Sequence, residues 1–141
     1  MIYVDTSVWV AMHAREPRTA QVQDWLEGQD LAALCCSEWV KTEYASALSI
    51  KFRRGDLSHT DFADAHHAFA RLCVAGPIWL DVEAPDFLAA AGFCAEPDTG
   101  LRAGDGLHLA VAVRTRCEAF LSLDNLLNHN AKRFGLRVVD L

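Results

Sequence analysis

The chain reads as an α/β domain in three layers, a mostly parallel sheet with helices on both faces, and three observations predict it. Short apolar runs, too brief for helices, recur at residues 1–4, 31–35, 78–82, 119–123 and 137–140. Between them lie longer stretches with apolar residues at helical spacing. Alternation of the two throughout the chain implies right-handed crossovers, which put parallel strands in the middle and helices outside. The 141 residues, 52% of them hydrophobic and 23% charged, suit one domain with its own core, and no repeat, low-complexity tract or linker divides them.

Taken in order, the first run is β-branched and aromatic and stops at Asp5, followed by Thr6 and Ser7, which predicts a strand turning into a short helix over 7–13. A second helix has Pro17 near its first turn, Gln21, Val22, Trp25 and Leu26 on one face, and Gly28 as its stop. After the strand at 31–35, Ser37 is expected to cap a helix to about residue 54, with Val40, Tyr44, Ala47 and Leu48 inward and Gly55 at its end. Ser58 and Asp61 resemble a capping box, opening a helix with Phe62, Ala65, Phe69, Leu72 and Cys73 on one face, which Gly76-Pro77 breaks. Beyond the third strand, Pro85 and Asp86 open a helix to about residue 95, and 96–100 is a loop. A helical pattern then runs from 103 to about 116, with Leu107, Ala110, Val111 and Arg114 at one spacing. The fourth strand ends at Asp124. A final helix over 126–134 is closed by Gly135 before the last strand.

No apolar run approaches the roughly 18 residues that would span a bilayer. No charged leader or cleavage site is recognisable either, so a cytoplasmic protein is expected. The five cysteines are an odd number without a C-x-x-C pair, which predicts reduced core thiols, Cys35 and Cys36 pointing to opposite faces of a strand. A net charge of −6 argues against a protein that coats nucleic acid by electrostatics alone. It leaves room for one whose acids hold divalent cations, because the metal reverses the local sign.

That possibility has candidates. In a parallel sheet, the carboxyl ends of strands and the starts of the following helices share one edge, where ligands collect. Asp5 and Asp124 each follow a strand, Glu43 falls in the second turn of the helix after the second strand, and Asp105 in the first turn of the helix leading to the fourth. All four should lie on that edge. Singly, each has an ordinary explanation as a helix cap, a dipole partner or a solvated residue. Together they form a cluster whose mutual repulsion a hard divalent cation would relieve. Such a cation can activate water for phosphodiester hydrolysis.

These residues carry a resemblance. Val4-Asp5-Thr6-Ser7, the segment from Ser37 to Glu43, Asp105 in Arg-Ala-Gly-Asp-Gly-Leu-His-Leu-Ala, and Leu121-Ser122-Leu123-Asp124 followed by Ala131 and Gly135 are similar to the motifs of PIN-domain ribonucleases. Within that family the whole chain resembles a VapC-type toxin of a bacterial toxin–antitoxin pair. The resemblance implies a single PIN domain over residues 1–141, with a sheet of four to five strands in the order 3-2-1-4-5. It also implies RNA endonuclease activity dependent on Mg²⁺, with Mn²⁺ able to substitute. Asp5, Glu43, Asp105 and Asp124 match the family's catalytic, metal-binding acids, and Thr6 and Ser122 match its supporting hydroxyls. Partners follow as an RNA substrate, a cognate antitoxin and a second copy in a homodimer, with no membrane. Two departures are mild: Ser122 stands where Thr is commoner, and Gly106 where Ala is, which is expected to loosen that helix start.

Other readings are weaker. His108 could be a general base, but a packing or hydrogen-bonding role is the more ordinary one. His59, His66 and His67 lack metal spacing with a further ligand. Trp9, Trp25, Trp39 and Trp79 read as core or interface rather than base-stacking platforms. Lys51, Arg53 and Arg54 are either a solvated helix end or part of an RNA rim. A phosphatase would need a second acid two positions after Asp5, where Ser7 stands. A non-catalytic PIN-like module binding RNA or protein is the remaining alternative, which an incomplete acid set would favour.

Overall fold

The first strand, β1 (Ile2–Val4), lies at the centre of a five-stranded sheet in the computed structural model, which describes residues 1–141. The other strands are β2 (Leu34–Ser37), β3 (Ile78–Leu80), β4 (Ala119–Leu121) and β5 (Arg137–Val138). Every pairing is parallel, and the order is β3-β2-β1-β4-β5, as expected. Ile2 aligns with both Leu34 and Ala119, so β1 is flanked by β2 and β4 in register. The order reverses at β1, which opens a crevice at the carboxyl ends of β1 and β4.

Seven helices supply the crossovers: α1 (Thr6–His13), α2 (Thr19–Glu27), α3 (Trp39–Arg53), α4 (His59–Ala75), α5 (Ala84–Ala95), α6 (Ala103–Arg114) and α7 (Asn125–Arg133). Their apolar stripes bury against the sheet in two layers. On one face Val4, Val8, Trp9, Val40, Tyr44, Leu48, Ala65 and Phe69 form the larger core, with Phe62, Leu72 and Cys73 packed beside it. On the other, Tyr3, Leu109, Val111, Phe120, Leu127 and Ala131 form the second. Alternation along the strands feeds both layers: Tyr3 and Cys35 go to one, Val4 and Cys36 to the other. All five cysteines are free thiols. No helix is long and apolar enough to cross a membrane.

Several expected boundaries move. The run at 31–35 divides, because Asp30 accepts the Ala32 N–H and winds Leu31–Ala33 into a 3-10 turn, so β2 starts only at Leu34. Ser37 does not cap α3. It is the last residue of β2, its hydroxyl taken by Tyr3 at 2.8 Å, and Glu38 precedes the helix without a side-chain cap bond. Pro17 lies two residues ahead of α2, and Gln21 is exposed rather than inward. Arg114 leaves the apolar face of α6 to clamp α5, its guanidinium bonding Asp86 at 2.7 Å and Glu83 at 2.6 Å. Gly106 lies in the first turns of α6, against α5. A Cβ there would meet Cys94 Sγ at 2.8 Å and the Ala90 carbonyl at 3.1 Å, so the glycine lets α5 pack closely on α6.

Candidate active site

Asp5 directly follows β1 and is almost fully buried, with 7% of its side chain exposed. It is both a helix cap and part of the crevice. Its Oδ2 accepts from the Ser7 N–H at 3.2 Å, the Ser7 hydroxyl at 2.5 Å and the Ser122 hydroxyl at 2.8 Å. That oxygen is therefore fully engaged, and Oδ1 is the one presented to the crevice. Ser122 also accepts the Asp124 N–H at 3.0 Å, so one hydroxyl ties the end of β4 to the acid at the end of β1.

Asp124 caps α7 through a single oxygen, Oδ1, which accepts from Leu126 N at 2.7 Å and Leu127 N at 3.1 Å. Its side chain is exposed and Oδ2 has no protein partner. Glu43, one turn into α3 from Trp39, is half-buried and reaches across to α1 and α6. Its Oε2 accepts from the Thr6 hydroxyl at 2.7 Å and lies 2.6 Å from His108 Nε2. Its Oε1 lies over Gly104, where a Cβ would collide with it. Asp105 stands at the start of α6 and accepts the Arg102 N–H at 3.0 Å.

The structure thus draws Asp5, Glu43 and His108 into one tight group, their ligand atoms all within 4.8 Å of one another. Asp105 and Asp124 stand outside that group; Asp105 feels the charges of Asp5 and His108 from within it and that of Asp124 from beside it. Burial pushes the Asp105 carboxyl above its ordinary pKa, and the charges of Asp5 and Asp124 push the same way, against the Arg102 N–H. For Glu43, burial is the largest influence and raises the pKa, but the hydrogen bond and charge of His108, together with the Thr6 hydroxyl, bring the net shift downward. An oxygen-rich, partly uncompensated carboxylate set fits a hard divalent cation, and the absence of a Cβ at Gly104 makes room for the Glu43 carboxylate. Asp5, Glu43, Asp105 and Asp124 are the residues that could hold one.

His108 takes a larger part than its sequence context suggested. Its ring is 1% exposed, with Nε2 on Glu43 and 3.3 Å from Asp5 Oδ1, and Nδ1 2.9 Å from the Tyr3 hydroxyl. Burial alone would lower its pKa, yet Asp5 and Glu43 raise it above the ordinary imidazole value. The remaining candidates go elsewhere. His59 packs on Phe52, and His66 on Phe62. Trp9 is core, and Trp25, Trp39 and Trp79 pack partly buried at its margins. Lys51 pairs with Glu16 at 2.5 Å. It lies two turns beyond Glu43, so the end of α3 points to the edge opposite the acids.

Among solved structures, the chain is similar to VapC20 of Mycobacterium tuberculosis, described as a sarcin-ricin loop cleaving toxin, with a TM-score of 0.74 and 20% identity over 92% of this chain and 95% of that one. FitAcB from Neisseria gonorrhoeae gives a TM-score of 0.71 and 20% identity over 99% and 97%. VapBC2 from Rickettsia felis, solved with a DNA fragment from its promoter, gives 0.64 and 18% over 99% and 98%. These identities speak to the fold. No curated protein matches the sequence significantly. The family model described as PIN domain matches residues 2–133, and with nearly the whole chain inside that match, the protein belongs to the PIN domain family.

Proposed function

We propose that the chain is a single-domain, metal-dependent endoribonuclease acting as the toxin of a toxin–antitoxin pair in the cytoplasm. One observation carries the reading: Asp5 from the end of β1 and Glu43 from α3 converge with His108 where the strand order reverses, and Asp105 at the start of α6 feels the charges of Asp5 and Asp124. Membership in the PIN domain family supports a nuclease, and the toxin and toxin–antitoxin proteins among the similar folds support the partner.

Asp5 Oδ1, Glu43 Oε1, Asp105 and Asp124 would hold Mg²⁺, or Mn²⁺ in its place. When bound, the cation supplies charge for the scissile phosphate and lowers the pKa of an attacking water. The chain's own contribution is to hold the acids in place. Thr6 fixes Glu43, Ser7 and Ser122 fix Asp5, and the capping bonds fix Asp124, so little rotamer freedom remains to be lost when substrate arrives. A homodimer belongs to the same reading, and Phe87 and Leu88 on α5 are 56% and 78% exposed, apolar surface of the kind a second copy covers.

The test is cleavage of total cellular RNA by the purified chain. Activity lost in chelator and restored by Mg²⁺ or Mn²⁺ is expected. RNA binding that persists without cleavage under any metal would replace the nuclease with a non-catalytic binding module.

A further inference from the structure

His108 is an expensive residue to bury, and the acids alone do not explain how it is held. A polar ring with 1% exposure is tolerated only when its nitrogens are bonded. Both are. On one side Nδ1 meets the Tyr3 hydroxyl at 2.9 Å. That hydroxyl donates to Ser37 Oγ at 2.8 Å and accepts the Ser37 N–H at 3.3 Å, so β1 and β2 together fix it. Tyr3 cannot swing away, because its ring stacks on Phe120 with centroids 5.3 Å apart and is fully buried. On the other side, Nε2 lies 2.6 Å from Glu43 Oε2. An ionised carboxylate has no proton to give, so the proton of that bond is on Nε2 and the ring is the donor.

We propose that His108, anchored by Tyr3, is the positioning residue that holds Glu43 Oε2 inward and so presents Oε1 to the cation site; this rests on the acids being a metal site. Glutamate has three rotatable torsions, and Glu43 spans from α3 to α1 and α6, so an unanchored carboxylate would sample several rotamers. Thr6 and His108 both bind Oε2, whereas Oε1 takes neither bond and lies over Gly104, near Trp39 Nε1. His108 does not act as a base in this arrangement, since both nitrogens are engaged and the ring is sealed from water. An outer partner of this kind typically changes metal affinity by about 10–100-fold.

Mn²⁺ affinity of the purified chain without RNA, read from the paramagnetic resonance of free Mn²⁺, tests this in the wild type, H108L, H108Q and Y3F, with melting curves to check folding. H108L, which keeps bulk and loses the donor, should weaken Mn²⁺ binding by about 10-fold or more. H108Q returns an N–H near the Nε2 position and should recover most of the loss. Y3F leaves the imidazole and frees it from its anchor, so it should weaken binding less than H108L does. A folded H108L with wild-type affinity overturns the proposal, as does H108Q binding no better than H108L, which would make the role one of packing alone. Should H108L not fold, Y3F decides, and wild-type affinity there overturns it. A wild-type chain that binds no Mn²⁺ overturns the metal reading and this proposal with it, whereas wild-type binding with unaffected variants overturns this proposal only.

Discussion

Asp105 is the residue at which the electrostatics of the site become measurable. Its carboxyl is raised by burial and by the charges of Asp5 and Asp124, so between the ordinary carboxylate pKa and the raised one the folded chain binds more protons than the unfolded chain. Across that window stability falls as pH rises. At neutral pH the ionised Asp105 is therefore a destabilising group until a cation arrives. Asp105→Asn keeps an acceptor for the Arg102 N–H and removes the charge. It should raise the melting temperature in chelator by roughly 2–4 °C, while reducing RNA cleavage by more than about 100-fold. The gain should shrink as the pH is lowered through the carboxylate range. Asp5→Asn should likewise abolish cleavage in a folded chain, and wild-type cleavage rates in a metal-saturated variant would count against the site. Asp5 and Asp105 were legible from the sequence because each sits at a strand end or helix start, where local pattern places it. His108 was named there, but without its partner, since Glu43 is 65 residues away and only the packing of α3 against α6 brings them together. A signal was present in the chain: His108 is one helical turn beyond Asp105 and so shares its face.

Helices α3 and α6 meet at Gly104, which decides how near Glu43 can come. A Gly104→Ala side chain would displace Glu43 Oε1 and crowd Trp39 Nε1, 3.2 Å from the added Cβ. The helix itself should gain up to ~1 kcal/mol from the substitution, offset by that crowding. Cleavage should therefore fall about tenfold with little change in melting temperature, and an unchanged cleavage rate would show that Glu43 is placed by something else. The cap of α4 is the matching control. Ser58 accepts the Asp61 N–H at 3.0 Å, so Ser58→Ala should cost about 1 kcal/mol in a urea melt and leave cleavage unchanged. Among the elements, helices were easier to read than strands. The apolar faces of α3 and α4 are repeated over several turns, and Gly55 and Gly135 sit at helix ends with positive φ, as their positions implied. Strands of two to four residues carry little pattern, so one competing Asp30 bond was enough to shift the start of β2, and Ser37 looked like a cap because nothing local reveals that Tyr3 takes its hydroxyl.

At the scale of the molecule, strand order turns four scattered acids into one edge, and a chain of net charge −6 with that edge should attract a cationic segment. If the antitoxin presents Arg or Lys to the acids, it and the metal compete. Saturating Mg²⁺ should then weaken antitoxin binding about tenfold relative to chelator at matched ionic strength, and Asp105→Asn or Glu43→Gln should weaken it further. Equal affinity in all these conditions would mean inhibition by blocking the groove elsewhere. The expectations for cleavage and for competition with the antitoxin depend on the acids holding a cation, and the most direct measurement is the anomalous diffraction of crystals grown with Mn²⁺. A peak bounded by Asp5, Glu43, Asp105 and Asp124, absent from Asp5→Asn crystals, is the predicted result. Saturating Mn²⁺ with no peak at those carboxylates would contradict it.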